Sequence, residues 1–194
     1  DRRGDPHPRD ADDAEHEDRH RLGVVGRHLR HLWEGVRCPR AGRGTRQLLH
    51  GTTLHGAQSL VEGYKRTPTT YYAPYSGVGR VLSRAPILFE GPARIGVVGL
   101  GTGTLACYRQ PGQRYIFFEI DPAVSAIARD PRRFSYLARC APDAAIVIGD
   151  ARLTIAERPP GSLDILAVDA FSSDAIPVHL LTREAMAVYG RALA

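Results

Sequence analysis

The chain has 194 residues, 43% of them hydrophobic and 24% charged, which allows one folded core and is ordinary for a globular protein. Its net charge is +5, but the arginines are scattered rather than aligned on one helix face, which argues against nucleic-acid binding. No apolar run approaches the ~18 residues of a membrane span, and the charged first residues are unlike a signal peptide. We therefore expect a cytoplasmic protein without a metal site, whose three cysteines (Cys38, Cys107 and Cys140) are free thiols.

The first third of the chain predicts a tail and a small β-rich segment. Residues 1–21 combine acids, arginines and histidines with alanine as the main apolar residue, so we expect this segment to be disordered. Residues 22–75 form the β-rich segment. Within it, QLLHGTTLHGAQ (47–58) predicts a hairpin, and TTYY (69–72) predicts a short strand that ends at Pro74 and a Ser76–Gly77 turn.

The pattern changes in residues 76–194, where four apolar runs alternate with helical segments. The runs are IGVVGL (95–100), YIFFEI (115–120), AIVI (145–148) and LDILAV (163–168). Runs that are apolar on both faces are typical of buried parallel strands. Asp121, Asp150 and Thr182 stand where helix N-caps are expected. Strand–helix alternation of this kind indicates an α/β domain with a doubly wound parallel sheet.

In such sheets ligands bind beyond the carboxyl ends of the strands, so the residues at those ends are the candidate site. Gly99, Gly101 and Gly103, with Thr102 among them, follow the first run and allow close approach of a ligand to the backbone. Glu119 closes the second run, twenty residues after Gly99. Its carboxylate can accept hydrogen bonds from both ribose hydroxyls of an adenosine.

The third and fourth strand ends also carry acids. Asp150 can accept from an adenine amino group while the Ala151 amide donates to the ring, although Asp150 also fits a helix N-cap. An acid at this point favours an S-adenosyl nucleoside over NAD, and hence a class I methyltransferase-like Rossmann fold. Asp169 and Asp174 follow the fourth run and suit a cationic substrate, whereas Asp174 could also be a simple turn residue.

The motifs, taken in order, resemble the spermidine synthase-like family of bacteria, especially the catalytic portion of members fused to a transporter-like segment. The resemblance extends from about residue 47 to the end of the chain. The segments that carry it are HGTTLHGAQ, TTYYAPYSGVG, GVVGLGTGTLA, FFEIDPAV, GDARL and VDAFSSDAIPVHLLTREA.

This resemblance implies an enzyme of polyamine biosynthesis, with decarboxylated S-adenosylmethionine as donor and a diamine such as putrescine as acceptor. It implies that Asp169 is the catalytic base, that Tyr72 supports the attacking amine, and that Gln58 and Asp174 orient the diamine. Typical members have an aspartate where this chain has Thr102. That difference keeps an S-adenosylmethionine-dependent methyltransferase as an alternative.

The resemblance also implies an apparently truncated domain, because the family's sheet continues with strands beyond the fourth. The fourth strand is then expected to form an apolar edge that a partner covers, for example a second copy in a homodimer. A non-catalytic nucleoside-binding remnant is therefore a third alternative.

Overall fold

Two β-sheets organise the part of the chain that the computed structural model describes, which comprises residues 36–37, 40–41, 44–50, 53–89, 92–170 and 177–194. The predicted tail (1–21) and Asp174 lie outside these residues. The strands are β1 (Val36–Arg37), β2 (Arg40–Ala41), β3 (Thr45–His50), β4 (Thr53–Ser59), β5 (Arg94–Val98), β6 (Arg114–Glu119), β7 (Ala145–Ile148) and β8 (Ile165–Val168). The helices are α1 (Gly77–Leu88), α2 (Pro122–Arg129), α3 (Tyr136–Cys140), α4 (Ala151–Ala156) and α5 (Arg183–Ala192). Short 3₁₀ turns cover Glu62–Tyr64, Thr70–Tyr72, Thr104–Tyr108 and Val178–Leu180.

The first sheet is antiparallel and contains the predicted hairpin. Strands β3 and β4 pair from Thr45–Ser59 to His50–Thr53, with a register irregularity at Leu48/Leu49. The short strands β1 and β2 pair with the other edge of β3. The hairpin predicted over 47–58 is therefore confirmed.

The strand predicted over residues 69–72 is wrong, because Thr70–Tyr72 is a 3₁₀ turn. Side chains rather than a backbone ladder attach this segment to the hairpin. The Thr69 hydroxyl donates to the Ala57 carbonyl at 2.5 Å, and the Tyr71 hydroxyl donates to the Leu54 carbonyl at 3.1 Å. These contacts override the β preference of threonine and tyrosine.

The second sheet is parallel, and its strand order is β7-β6-β5-β8. In chain order this is third, second, first, fourth, the arrangement of a doubly wound nucleotide-binding fold. All four predicted strands are present. The last one begins two residues later than its apolar run, since Leu163 forms a bridge with Leu193 and the Asp164 carboxylate binds the backbone and guanidinium of Arg94.

Helices cover both faces of the parallel sheet. On one face, Val97 and Phe117 belong to a core that includes Leu82 of α1 and Leu137 of α3. On the other face, Val98 and Phe118 pack in a core with residues of α4 and α5, including Ile155, Ala185 and Tyr189. Adjacent residues of one strand therefore enter opposite cores, which explains why the strands are apolar on both faces.

The predicted helix caps are confirmed at all three positions. The Asp121 side chain accepts from the Ala123 amide at 2.8 Å, and the Thr182 hydroxyl accepts from the Ala185 amide at 3.2 Å. Asp150 accepts from the amide of Leu153 at 3.2 Å. Asp121 and Asp150 each stand two residues after the end of a strand, so the loops that lead into α2 and α4 are short.

The cysteine prediction is wrong for two of the three residues, because Cys107 and Cys140 form a disulfide. The two residues are 33 positions apart in the sequence, so no local pattern predicts their pairing. They meet because α3 packs on the turn Thr104–Tyr108. Cys38 lies outside the described residues. Disulfides are uncommon in reducing compartments, so the cysteines no longer argue for a cytosolic environment.

Among the described residues, β8 is one of the two edge strands of the parallel sheet, as expected for the fourth run, and β7 is the other. The last residue of β8, Val168, is 39% exposed. Within the described ranges, no helix has the length and apolar character needed to cross a bilayer.

Candidate active site

The glycine-rich loop after β5 is shaped by backbone conformations that side chains rarely adopt. Gly99, Gly101 and Gly103 have φ angles of 91°, 52° and 80°. A Cβ atom on Gly99 would collide with the Asp169 carbonyl, and one on Gly101 would collide with the His55 carbonyl. Glycine is therefore required here both for the turn and for close packing between β8 on one side and the hairpin on the other.

Thr102, within the same loop, is fully buried. Its hydroxyl lies 2.7 Å from that of Thr104, and its side chain packs against Gly56 of β4 closely enough that a Cβ there would lie 2.6 Å from Thr102 Oγ1. Thr102 thus anchors the loop to the hairpin, and its hydroxyl is not exposed at the carboxyl edge.

Glu119, the last residue of β6, is 8% exposed, and its carboxylate is held by two backbone amides. Oε2 accepts from the Leu100 amide and Oε1 accepts from the Asp121 amide, each at 2.9 Å. Burial raises the pKa of Glu119, while these hydrogen bonds oppose that rise. The carboxylate is preorganised beside the glycine loop, with lone pairs left to accept from a hydroxyl-bearing ligand.

Asp150 begins α4 one residue beyond Gly149, whose amide donates to the Glu119 carbonyl at 2.9 Å. Its Oδ1 is the helix cap, and its Oδ2 lies 3.2 Å from His179 Nε2. Ala151 follows as the first residue of α4 and is buried. Asp150 is therefore the predicted helix cap and also lies at the carboxyl edge of the sheet.

Asp169 follows β8, and its amide continues the ladder by donating to the Val98 carbonyl at 2.9 Å. Tyr72 donates its phenolic hydroxyl to Asp169 Oδ2. Burial raises the pKa of Asp169 to about 6, and the hydrogen bond from Tyr72 acts in the opposite direction. A carboxylate with this pKa is ionised at neutral pH and can still take up a proton.

Tyr72 is itself buried and firmly placed. The Tyr108 hydroxyl donates to the Tyr72 carbonyl at 2.5 Å, and the Tyr71 ring lies 4.3 Å from the Tyr72 ring, centroid to centroid. Burial and the neighbouring Asp169 hold the pKa of Tyr72 well above its usual value. The phenol therefore remains a hydrogen-bond donor over the physiological pH range.

Gln58 is 2% exposed and lies away from solvent, with its amide bonded to protein atoms. Nε2 donates to the Lys65 carbonyl at 2.8 Å and to the Ser135 hydroxyl at 3.0 Å, while Oε1 accepts from the Ser135 amide at 2.9 Å. These contacts join the hairpin to the start of α3. The structure thus gives Gln58 a bridging position, and its role toward a diamine stays a prediction.

The predicted residues converge at one edge of the sheet. The glycine loop, Glu119, Asp150 and Asp169 follow the carboxyl ends of four paired strands, and Tyr72 reaches this edge from the segment after the hairpin. Sequence reasoning missed Tyr108, His179 and Ile120, an apolar residue that is 60% exposed directly after Glu119. An apolar residue directly after the candidate Glu119 was a usable signal for Ile120, whereas no local sequence pattern marks Tyr108 or His179.

Comparison with known proteins supports the resemblance drawn from the motifs. A curated polyamine aminopropyltransferase from Vibrio vulnificus (strain CMCP6) is 35% identical over 109 residues, which cover 53% of this chain and 35% of that protein. No protein-family model matches the chain. The chain therefore spans about a third of the relative it matches.

Solved structures share the fold. A probable spermidine synthase from Corynebacterium glutamicum ATCC 13032 superposes with a TM-score of 0.67 at 19% identity, covering 82% of this chain and 57% of that one. The spermidine synthase of Thermotoga maritima gives a TM-score of 0.51 at 18% identity, covering 81% of this chain and 53% of that one. A spermidine synthase in complex with the transition-state analogue AdoDATO gives 0.51 at 20% identity, covering 81% and 54%. The predicted α/β Rossmann-type fold and the resemblance to spermidine synthases are confirmed.

Proposed function

We propose that this chain carries the catalytic centre of an aminopropyltransferase, which moves an aminopropyl group from decarboxylated S-adenosylmethionine to a diamine such as putrescine. The observation that carries the proposal is the Asp169–Tyr72 pair, a partly buried carboxylate with a raised pKa beside a nucleotide-type glycine loop. The 35% identity to a polyamine aminopropyltransferase supports the same reaction.

The donor's nucleoside would bind along the strand ends. Glu119 would accept from the ribose hydroxyls through the lone pairs that its two backbone donors leave free. Asp150 would accept from the adenine amino group, the Ala151 amide would donate to the ring, and exposed Ile120 would supply an apolar surface for the base. The loop from Gly99 to Gly103 would let the donor approach the backbone closely, because glycine has no side chain to cover it.

The transfer step needs a neutral amine. The nitrogen of the diamine attacks the carbon attached to the sulfonium, the C–N bond forms as the C–S bond breaks, and uncharged methylthioadenosine leaves. A free alkylamine has a pKa near ~10, so at neutral pH it arrives mainly protonated. Asp169 would attract the cation and take up the proton, while Tyr72 would keep the carboxylate in place. Asp174 and Gln58 remain predicted ligands of the diamine.

One observation favours a second candidate reaction, methyl transfer from intact S-adenosylmethionine. Thr102 is uncharged and buried where typical spermidine synthases carry an aspartate, so the loop provides no carboxylate to repel the donor's own carboxylate. The two reactions use the same nucleoside site and differ in the group that is transferred.

The proposal is tested by incubating the protein with each donor and a panel of diamines, with methylthioadenosine and S-adenosylhomocysteine measured as products. Aminopropyl transfer predicts methylthioadenosine and an extended polyamine in equal amounts, and only with a diamine present. S-adenosylhomocysteine as the main product would replace the proposal by methyl transfer. Binding of methylthioadenosine without turnover of either donor would contradict both reactions.

A further inference from the structure

The turn Val178–Leu180 brings a histidine to the carboxyl edge of the sheet. His179 Nε2 lies 3.2 Å from Asp150 Oδ2, within ion-pairing distance, and the two side chains are 47% and 26% exposed. His179 belongs to neither the Asp169–Tyr72 pair nor the glycine loop. The contact is therefore a separate feature at the third strand end.

The turn is anchored on its inner side, so the position of His179 is determined by the core. Leu180 is 4% exposed and packs in the core with α4 and α5. The Tyr189 hydroxyl donates to the Leu180 carbonyl at 3.2 Å, and the Leu180 amide donates to the Pro177 carbonyl at 2.9 Å. The backbone from which the His179 side chain extends is therefore fixed close to Asp150.

The Asp150 carboxylate needs a second contact to be fixed. Its helix-cap hydrogen bond with the Leu153 amide is 3.2 Å long and holds only Oδ1. A contact at one oxygen leaves the carboxylate free to rotate about that contact. His179 at Oδ2 supplies the missing restraint and leaves the remaining lone pairs free toward the edge of the sheet.

We infer that His179 is a positioning residue that orients the Asp150 carboxylate toward the amino group of a bound adenine. The inference rests on the proposed nucleoside site and adds a determinant of base specificity to it. Adenine offers an amino donor to this carboxylate, whereas hypoxanthine offers an oxygen, which the carboxylate repels. Loss of the orienting contact should therefore weaken recognition of adenine without weakening hypoxanthine binding, because it also relieves that repulsion.

The test compares methylthioadenosine with methylthioinosine in binding calorimetry on the full chain. We expect His179→Ala to lower affinity for methylthioadenosine by about 10-fold without any loss of affinity for methylthioinosine, so that discrimination between the two bases falls by at least that factor. His179→Gln places an amide donor near the position of Nε2 and should restore most of the discrimination. Val178→Ala is the matched control, since Val178 is 79% exposed in the same turn and should change neither affinity.

Melting temperatures separate positioning from folding. The inference is overturned if His179→Ala discriminates as well as the unsubstituted protein, or if both nucleosides lose affinity equally together with a fall in melting temperature. If the unsubstituted protein binds neither nucleoside, the proposed function fails and the inference fails with it. If the unsubstituted protein binds both nucleosides and prefers methylthioadenosine, the proposed site stands, and the affinities of the His179 variants decide whether His179 orients Asp150.

Discussion

Replacing Asp169 by asparagine should stabilise the protein at neutral pH while abolishing most of its activity. The folded-state pKa of Asp169 is raised from 3.8 to about 6 by burial. A shift of about two units corresponds to about 3 kcal/mol of unfavourable free energy for the ionised carboxylate in the folded protein. Asparagine keeps the shape, removes the charge and still accepts a hydrogen bond from Tyr72.

This cost is already a net value, because the pKa of about 6 includes the opposing effect of the hydrogen bond from Tyr72. We therefore expect Asp169→Asn to increase the free energy of unfolding by about 3 kcal/mol above pH 7, equivalent to about 6–12 °C in melting temperature for a domain of this size. Since the folded-state pKa is raised, the folded state binds more protons than the unfolded state between pH 4 and pH 6. The stability difference should thus be absent below about pH 4, grow as the pH rises and level off above about pH 6.

Urea unfolding of both proteins at several pH values, together with the transfer assay at pH 7.5, measures the two effects on the same samples. Transfer should fall by about 10²–10⁴-fold, the usual effect of losing a general base. Asp143→Asn is the control, since Asp143 pairs with Arg109 at the surface and its pKa is lowered by that partner, which gives the opposite sign of stability change. Full transfer activity in Asp169→Asn, or a lower melting temperature at every pH, would refute the assignment of Asp169 as a desolvated base.

Three other substitutions examine the nucleoside site and its supports. Glu119→Ala should weaken methylthioadenosine binding by about 10–100-fold in calorimetry, the effect of losing a hydrogen bond to a charged group; equal affinity would remove Glu119 from the site. Gly101→Ala should lower the free energy of unfolding by about 1–3 kcal/mol, because φ is 52° and the new Cβ would collide with the His55 carbonyl; an unchanged urea midpoint would contradict this. Cys107→Ser should lower the free energy of unfolding by about 3–4 kcal/mol, as expected for the loss of a disulfide that closes a loop of 33 residues. In urea unfolding, a reductant should destabilise the parent protein and leave the variant unaffected.

Local sequence patterns were sufficient for the parallel sheet and its helix caps. Each strand of the parallel sheet contains a continuous apolar run, and Asp121, Asp150 and Thr182 lie directly before a helical segment, so neighbouring residues are enough to predict these elements. The same holds for the glycine loop, since turns with positive φ strongly favour glycine. Because the carboxyl ends of parallel strands lie at the same edge of a sheet, Glu119, Asp150 and Asp169 could be placed together without any knowledge of tertiary contacts.

The features that sequence reasoning missed depend on contacts between distant residues. The Cys107–Cys140 disulfide forms because α3 packs on the turn after the glycine loop. The turn Thr70–Tyr72 replaces the predicted strand because the hairpin offers carbonyl acceptors to Thr69 and Tyr71. Neither contact leaves a periodic pattern in the chain, and the same is true of the pairing between His179 and Asp150.

The amide of Gln58 has a consequence for the order in which the chain folds. It bonds Ser135 across 77 residues, and an amide buried without partners costs about 1–3 kcal/mol. The hairpin can therefore bury Gln58 at low cost only after the segment around Ser135 has taken its place beside the sheet. Since closing so long a loop is slow relative to local pairing, docking of the hairpin is expected to follow formation of the parallel sheet, and substitutions at Gln58 should change the unfolding rate more than the folding rate.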